Sequence, residues 1–327
     1  MKSEEPKGDG AMDNLKLSCQ NAPEDPKSWY DFCAAAFGGD AALARYFQMG
    51  WELDPHRKEN RILTLRRPDG TLLSTLTVIS RTVLLDGCPV KAGGIATVCT
   101  RKDQQGKGLA GRLLREALAR MTEQGDAIAL LGTAIPDYYR KFGWEPLASR
   151  FSAWTAEPVS PPPGVRLRPL DPEDWDAAAA GLYQAESARG RRNGMVLRPR
   201  GTVWGGWLAQ KGCRWFLTED AAGPRAYAAG ADSDGVLELR ELGCRGDAEG
   251  DLPALVSALC GGVRREVTGP PGPYPPPRAG ETLVHGLMLR LLRPLTLNGR
   301  TFADTAALIR HLETSPTPFA YSENDSF

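Results

Sequence analysis

The sequence predicts an α/β protein of two similar domains, each a mixed, mostly antiparallel sheet flanked by helices, with a short C-terminal extension. Three observations support this fold class. Runs of alternating apolar and polar residues, joined by turn signals, occur near 61–100 and again near 213–244. Each group is followed by a segment of helical period and then by a short apolar strand. A proline-rich stretch at 156–164 separates the two series, as a stiff linker would.

The first series opens with a strand and two helices. The strand is expected at 15–18. Asp25-Pro26 is a typical helix start and Gly38-Gly39 a typical helix end, so together they bound the first helix. The second helix is expected from Asp40 to about Met49.

A meander of three strands follows, at 61–66, 71–85 and 90–100. Pro68-Asp69-Gly70 and Asp86-Gly87 supply the two turn signals that join these strands. The meander therefore predicts three hairpin-connected, antiparallel strands in succession.

The pattern then changes to a helical period. From 108 to 124 the apolar residues recur on one face, which predicts an amphipathic helix. A short buried strand is expected at 127–131, a short helix at 136–143 and a further strand at 144–155.

The second half repeats this order of elements in outline. A strand at 165–169 and a helix beginning at Asp171-Pro172 come first. The sequence then predicts three strands, a helix and a last strand, near 213–218, 225–231, 235–244, 251–260 and 263–268. The repetition indicates a divergent internal duplication of about 150 residues per copy.

These patterns divide the chain into four parts. We expect a disordered lead-in at 1–11, a first domain at 12–156, a second domain at 165–292 and a C-terminal helix and tail at 293–327.

Composition excludes several classes of protein. Forty basic residues balance forty acidic ones, so bulk charge gives no support for a nucleic-acid or membrane-surface partner. The seven cysteines are scattered and the three histidines lie far apart, which gives no support for a disulfide framework, a metal site or a Ser-His-Asp triad. The N-terminus lacks the apolar core of a secretory signal, and no apolar run approaches the roughly 20 residues of a membrane span. We expect a cytoplasmic protein.

A glycine-rich loop between a strand and a helix is the main functional signal. Residues 98–112 read VCTRKDQQGKGLAGR. Its glycines allow sharp turns and close approach to a ligand, and the first N–H groups of a helix form a cradle for phosphate. Cations at a helix start favour a bound anion. Five lie here: Arg101, Lys102, Lys107, Arg112 and Arg115.

The loop does not fit two common phosphate motifs. It lacks the Gly-Lys-Ser/Thr of a Walker loop. The strands before it are joined by hairpins rather than by a βαβ unit, which argues against a dinucleotide fingerprint.

Residues 93–145 resemble the GCN5-related N-acetyltransferase (GNAT) superfamily. Gln105, Gly108 and Ala110 match its pyrophosphate-loop pattern, Q/R-x-x-G-x-G/A. The segment 134–144, AIPDYYRKFGW, resembles its later helix, F-Y-x-x-x-G-F. The tandem arrangement with a C-terminal extension is similar to the Eis-like branch.

The resemblance implies acetyl-CoA as co-substrate. The backbone of Val98, Cys99 and Thr100 would then pair with the pantetheine arm. Backbone amides of the loop would hold the pyrophosphate, contributed by Gln105, Gly106, Lys107, Gly108, Leu109, Ala110 and Gly111. Tyr139 would be the general acid for the leaving thiolate, and a tyrosine with its ordinary pKa near 10 is indeed protonated at pH 7.

The general base is less evident, because the strand at 90–100 carries no carboxylate. In the Eis-like branch this role falls to a terminal carboxylate, which here implies Phe327. Three acidic residues are further candidates to line a pocket for a cationic amine: Glu52, Asp54 and Glu59.

The second half is expected to have lost the site and to shape the acceptor pocket. Its equivalent loop, 244–251, carries Asp247, Glu249 and Asp251, which disfavour a pyrophosphate, and the proline-rich stretch 269–277 cannot be helical.

The sequence thus predicts an N-acetyltransferase that transfers acetyl from acetyl-CoA to an amine by direct attack, without a metal. Two alternatives stay open. One is a non-catalytic CoA-binding or regulatory protein that keeps the loop, and the other is a nucleotide-phosphate enzyme that uses the same loop.

Overall fold

The computed structural model describes residues 14–270 and 280–325, so the lead-in predicted at 1–11 and Phe327 lie outside the described residues. The first half contributes these elements in chain order: β1 (Lys16–Gln20), α1 (Pro26–Ala36), α2 (Ala41–Glu52), β2 (Arg61–Arg66), β3 (Leu72–Leu85), β4 (Cys88–Thr100), α3 (Leu109–Glu123), β5 (Ile128–Gly132), α4 (Pro136–Arg140), β6 (Glu145–Pro146) and β7 (Ser149–Ala156).

The second half contributes β8 (Arg166–Pro169), α5 (Trp175–Ala178), α6 (Ala180–Ala188), α7 (Gly205–Ala209), β9 (Arg214–Asp220), β10 (Gly223–Ser233), β11 (Val236–Cys244), α8 (Leu252–Leu259), β12 (Arg265–Gly269), β13 (Gly280–Val284) and β14 (Leu287–Leu291). A C-terminal extension adds β15 (Leu295–Leu297), β16 (Arg300–Phe302) and α9 (Thr305–Thr314).

The strands β1 to β14 form two seven-stranded sheets with the same internal order, and β15 pairs with β16. The first is β1-β2-β3-β4-β5-β14-β6, and the second is β8-β9-β10-β11-β12-β7-β13. In each sheet the fourth and fifth strands are parallel, and the other pairings are antiparallel. The predicted fold class, two mixed and mostly antiparallel sheets flanked by helices, is confirmed, and the shared order supports the duplication.

Each half gives one strand to the other. β7 of the first half lies between β12 and β13, with Trp154 opposite Val267. β14 of the second half lies between β5 and β6, with Leu289 opposite Leu130. The two sheets therefore exchange strands across the proline-rich linker. The predicted domain boundaries at 156 and 165 divide the chain by its order in the sequence and not by sheet. The patterns missed β13 and β14.

The helices follow from local signals in the sequence. Asp25 caps α1 by accepting a hydrogen bond from the amide of Ser28, and Asp40 caps α2 in the same way. The apolar face of α3 packs on the first sheet through its buried residues, which include Leu113, Leu114 and Met121. A fully buried leucine stabilises the fold by about 1.5–3 kcal/mol, so this face fixes α3 against the strands.

The largest apolar cluster joins the two halves. It contains Val83 of β3, Trp175 of α5, Tyr227 of β10 and Leu308 of α9. Trp204, Trp207 and Trp215 also belong to it and are at most 3% exposed.

The segment after α9 crosses both halves. The amide of Arg150 donates to the carbonyl of Phe319 (2.7 Å), and that of Ala320 donates to Asn193 (3.0 Å). Ser322 Oγ donates to the carbonyl of Arg240 (3.0 Å). These contacts fix residues 319–322 over the junction of the sheets.

No helix within the two described ranges is long and apolar enough to cross a membrane. Among the same residues, no group of three His, Cys, Asp or Glu side chains is arranged to hold a metal ion.

Candidate functional site

The parallel strands β4 and β5 form a fork. They pair only from Ala92 to Gly94, although β4 continues to Thr100. A register shift in the β3–β4 ladder follows, and Thr97 takes a left-handed φ of 52°. A bulge of this kind bends the strand, so β4 leaves β5 and exposes an edge to a ligand.

The edge of the fork includes the residues predicted to pair with pantetheine. The carbonyl of Cys99 accepts from Ser74 Oγ (2.8 Å), and that of Thr100 accepts from Gln105 Nε2 (3.3 Å). The Cys99 side chain is buried beside α1, while Val98 packs against the cluster that contains Tyr139. A ligand strand on this edge would share these two carbonyls or displace the Gln105 side chain.

The glycine-rich loop presents a row of amides without partners. Among the described residues, no backbone or side-chain acceptor takes a hydrogen bond from the amides of Gly106 to Gly111. Gly108 is the N-terminal cap of α3, and the helix has no side-chain cap there. Because unpaired amides at a helix start carry partial positive charge, this row is suited to hold phosphate oxygens.

The loop glycines have two different roles. Gly106 and Gly108 have φ values of 75° and 77°, and open space surrounds the position where a Cβ would lie. Their conformation, rather than crowding, therefore requires glycine. A Cβ on Gly111 would lie 3.0 Å from Cζ of Phe142, so this residue allows α3 to pack close to the end of α4.

The predicted cation cluster at the loop is partly compensated. Arg101 pairs with Asp103 at 2.5 Å, and this guanidinium, together with Gln104, holds the pKa of Asp103 well below its usual range. Lys107 Nζ donates to Oε1 of the buried Gln104 (3.0 Å), and Arg115 lies over the Phe142 ring.

Tyr139 lies on α4 with its ring buried and its hydroxyl without a partner. The residue is 8% exposed, and its ring contacts Tyr138 and Trp144 edge-on, with centroids 5.1 and 6.2 Å away. Burial, reinforced by Tyr138 and Cys99, raises the pKa of Tyr139 to about 12. No described residue accepts a hydrogen bond from its Oη, so this proton donor is available to a ligand.

A cavity of about 860 Å³ lies between the two sheets and reaches the fork. Ile95, Ala96 and Thr97 of β4 and Gly132 of β5 line its fork end. The neighbouring wall comes from α1 and α2, and the far wall comes from the second sheet, α7 and the C-terminal segment. The pantetheine edge and the loop lie outside the cavity, so the cavity begins where the predicted path of the co-substrate ends.

One of the acidic residues proposed for an acceptor pocket lines this cavity. Asp54 does so, but both of its oxygens accept from the fully buried Arg81, at 3.1 and 2.7 Å. Glu52 and Glu59 are not among the lining residues. Arg81 therefore already supplies the counter-charge of the Asp54 carboxylate.

The C-terminal segment lines the cavity and ends in a buried network that the sequence did not reveal. Tyr321 and Ser322 line the cavity, and Asp325 is 2% exposed. Arg198 donates to both oxygens of Glu241, at 2.9 and 2.7 Å, and to Asp325 at 2.9 Å. No local pattern marks Arg198, and only its long-range pairing shows that it is buried.

The second half fills its equivalent loop with its own ion pairs. Asp251 is 1% exposed and pairs with Arg225 at 2.8 Å. Arg225 and Arg245 also pair with Asp220, each at 2.8 Å, and Arg191 pairs with Glu249. The predicted loss of an anion site fits this arrangement, although arginine side chains pair with these acids.

Comparisons with known proteins point to one family for this site. Residues 21–147 match the family model described as an acetyltransferase (GNAT) domain. This range includes the fork, the loop and Tyr139, and it confirms the resemblance to the GNAT superfamily. No curated protein matches the sequence.

Three solved structures are similar in fold, each matched over 85% of this chain. One is a probable N-acyltransferase from Enterococcus faecalis (18% identity, TM-score 0.64, 73% of that chain). Another is a GCN5-related N-acetyltransferase from Kribbella flavida (22%, 0.63, 71% of that chain). The third is Eis1 from Mycobacterium abscessus (16%, 0.56, 73% of that chain).

Proposed function

We propose, from the GNAT domain at residues 21–147, that the protein is an N-acetyltransferase that moves an acetyl group from acetyl-CoA to an amine. One observation carries the proposal. The row of amides without partners at 106–111 lies beside a diverging strand pair that opens on a large cavity. Acetyl-CoA supplies the activated acyl thioester, and the residues described below bind it and manage the protons.

The loop and the fork are the proposed binding elements for the co-substrate. The amides of Gln105 to Gly111 hold the pyrophosphate, and the helix dipole of α3 adds to their positive charge. The β4 edge at Val98, Cys99 and Thr100 holds the pantetheine arm by strand-like pairing. The acetyl group then lies near Thr97, at the fork end of the cavity.

Tyr139 is the proposed donor to the leaving sulfur. Its pKa of about 12 keeps the phenol neutral at pH 7. A thiol has an ordinary pKa near 8.5, so complete proton transfer from this phenol is uphill by roughly 5 kcal/mol before a ligand changes the site. Tyr139 therefore acts chiefly by donating a hydrogen bond to the charge that develops on sulfur.

The carboxylate of Phe327 is the proposed base that takes a proton from the amine. Asp54 is a poor candidate because Arg81 already binds both of its oxygens. The fixed position of Asp325, only two residues earlier in the sequence, supports a role for this end of the chain.

Deletion of Phe327 alone tests its role. Removing the last three residues would also remove Asp325 and break its buried network. The single deletion should lower kcat by about a hundredfold, a typical general-base contribution, with an unchanged melting temperature. The deletion moves the terminal carboxylate back by one residue, to Ser326, whereas Phe327→Ala leaves it in place and is the matched control. Full turnover in the deletion would mean that the position of this carboxylate does not matter, which would rule Phe327 out as the base.

A thiol-release assay tests the proposed function against its alternatives. The full chain is mixed with acetyl-CoA and a panel of amines, and free CoA thiol and acetylated amine are both quantified. The proposal expects release that depends on the amine. A CoA-binding regulatory protein would bind without release, and a nucleotide-phosphate enzyme would bind ATP or NAD in competition with CoA.

A further inference from the structure

The cavity beyond the fork is far larger than an acetyl group requires. Its 860 Å³ lies within the range of roughly 300–1,000 Å³ that holds a drug-sized ligand. Since the pantetheine edge and the loop lie outside it, this volume belongs to what meets the acetyl group at the fork. In an acetyl transfer that molecule is the acceptor.

The wall beside the fork is aromatic. Trp29 and Trp51 form its buried floor, with ring centroids 6.1 Å apart. Phe37 and Tyr46 form its rim and are 57% and 58% exposed, and both contact the ring of Phe47. These exposed rings meet at Phe47 and form a contiguous apolar patch at the mouth of a cavity, and such patches are typical of ligand-binding grooves.

The opposite wall adds further rings from other elements. Phe151 of β7, Trp207 of α7 and Tyr321 all line the cavity. Such rings offer flat apolar surface, and their contacts are most favourable with a ligand that has a flat or apolar body.

Ion pairs take up most of the charge that lines the cavity. Among the described residues the lining has three carboxylates, Asp54, Asp234 and Glu238, and two basic side chains, Arg240 and Lys211, of which burial lowers the pKa of Lys211 to about 8. Arg81 binds Asp54, and Arg240 binds Glu238 at 3.1 Å. Asp234, on the exposed β10–β11 turn, is the remaining carboxylate.

This pairing argues against an acceptor with several positive charges. Each ammonium group that leaves water without a counter-charge carries a large desolvation cost. A polyamine or an aminoglycoside brings three or more such groups, and the described lining offers one carboxylate outside its own ion pairs. An amine with one charge can lose that charge at the base before it attacks.

We propose that the acceptor is a monoamine with an apolar, aromatic body that binds between the aromatic rim and the opposite wall at Trp207. This inference rests on the proposed acetyl transfer. In the reaction the amine nitrogen forms a bond to the acetyl carbon and the carbon–sulfur bond breaks. The ammonium gives its first proton to the base before it attacks. A second proton leaves the nitrogen as the amide forms and ends on the departing sulfur. The products are the amide, the thiol and the one proton that the base passes to solvent.

The test compares amines of different charge and body with the full chain and acetyl-CoA. Tryptamine and 2-phenylethylamine are the aromatic monoamines, and spermidine and kanamycin are the polycations. Values of kcat/KM should be at least about tenfold higher for the aromatic monoamines, a ratio that corresponds to 1.4 kcal/mol. Equal or higher values for the polycations would overturn the inference, as would higher rates with octanoyl-CoA than with acetyl-CoA, which would make the cavity an acyl pocket.

The rim is tested by the double variant Phe37→Ala/Tyr46→Ala. Both side chains are more than half exposed, so the fold should tolerate their loss. KM for tryptamine should rise about tenfold while KM for acetyl-CoA is unchanged. Val263→Ala removes an apolar group of equal exposure, 57%, outside the cavity and is the matched control. An unchanged KM for tryptamine in the double variant would contradict the proposed binding mode.

Direct binding separates the inference from the proposed function. Calorimetric titration of the full chain with tryptamine and with spermidine, with and without CoA, needs no turnover. If acetyl-CoA binds and tryptamine does not, the inference is wrong and the transferase proposal stands. If acetyl-CoA fails to bind, the proposed function falls, and tryptamine binding that the rim variant weakens would still support the cavity as its site.

Discussion

Tyr139 shows how burial decides the chemistry of a single residue. Its ring packs between Tyr138 and Trp144, and its hydroxyl has no hydrogen-bond partner among the described residues. The resemblance of residues 134–144 to the later GNAT helix implies this residue from the sequence. The raised pKa could not be predicted, because it depends on how deeply the fold buries the ring.

Removing the Tyr139 hydroxyl should affect turnover and little else. Tyr139→Phe should lower kcat by about a hundredfold, because one donor to the developing charge is lost. Stability should change by less than about 0.5 kcal/mol, since no hydrogen bond within the described residues is broken. Steady-state kinetics and a CoA titration check this, with Tyr138→Phe as control. Equal losses in both variants would assign the effect to packing rather than to proton donation.

The pH dependence of turnover gives a further check on Tyr139. Its folded pKa is raised above the ordinary value of 10, so the neutral form is fully populated below about pH 10 and is lost only as pH rises through about 12. No loss of turnover between about pH 7 and 10 should therefore arise from Tyr139. A basic limb in that range that disappears in Tyr139→Phe would contradict this assignment.

Arg198 is the residue on which the C-terminal segment depends most. Its guanidinium is fully buried, binds Glu241 and Asp325, and lies 4.1 Å from the centroid of the Tyr183 ring. Burial raises the pKa of Asp325, which indicates that its charge is costly without this partner.

Loss of Arg198 should be far more damaging than loss of a surface arginine. Arg198→Met leaves two buried carboxylates without their cation and should lower the free energy of unfolding by about 3–5 kcal/mol. Arg214→Met breaks a half-exposed pair with Asp232 and should cost less than about 1 kcal/mol. Urea unfolding measures both values. Similar small losses would mean that the buried network does not hold the chain end.

At the scale of elements, local patterns predicted most of the fold. The helix at α3 and the strands β2, β3 and β4 were placed within one or two residues, because their apolar periods and turn signals are local. β13 and β14 were missed, since their pairing with β7 and β5 joins residues more than a hundred positions apart. No period in the sequence marks which sheet a strand joins.

The candidate site was predictable in part for the same reason. The loop and Tyr139 lie in one local strand-loop-helix-strand-helix pattern. The bulge at Thr97, the fork and the aromatic cavity depend on contacts between different elements, so no local pattern indicates them.

The position of α3 against α4 depends on Gly111. In Gly111→Ala the added methyl would meet Phe142 at 3.0 Å, and overpacking should outweigh the helix propensity that alanine adds, for a net loss of about 1 kcal/mol. Gly181→Ala lies in α6 with open space around the added methyl and should instead gain about 0.5–1 kcal/mol. Urea unfolding measures the sign of the stability change in both variants. A stabilised Gly111→Ala would show that Phe142 yields easily and that α3 is not fixed by this contact.

At the scale of the whole molecule, the strand exchange makes the two halves depend on each other. The first sheet needs β14 between β5 and β6, and the second needs β7 between β12 and β13. The cavity forms between the sheets, so the same exchange that joins the halves also builds the proposed acceptor site.

The exchange predicts that neither half folds alone. A fragment of residues 12–156 would lack β14 and leave β7 as an unpaired strand, so it should aggregate or fail to give a cooperative transition. The full chain should unfold in one transition that is the same by circular dichroism and by tryptophan fluorescence. Two separate transitions, or a fragment that folds cooperatively, would show that the halves are independent.

A thermal-shift titration of the wild type and Gly108→Glu shows whether acetyl-CoA binds at the loop. Acetyl-CoA at a hundred times its Kd should stabilise the wild type by about 2.7 kcal/mol, whereas ATP and NAD should not. Gly108→Glu places a carboxylate at the proposed pyrophosphate site and should abolish the shift. Gly164 in the linker has the same φ of 77° and open surroundings, so Gly164→Glu carries the same backbone strain. This variant should keep the thermal shift. A shift that survives Gly108→Glu, or no shift with the wild type, would contradict the account.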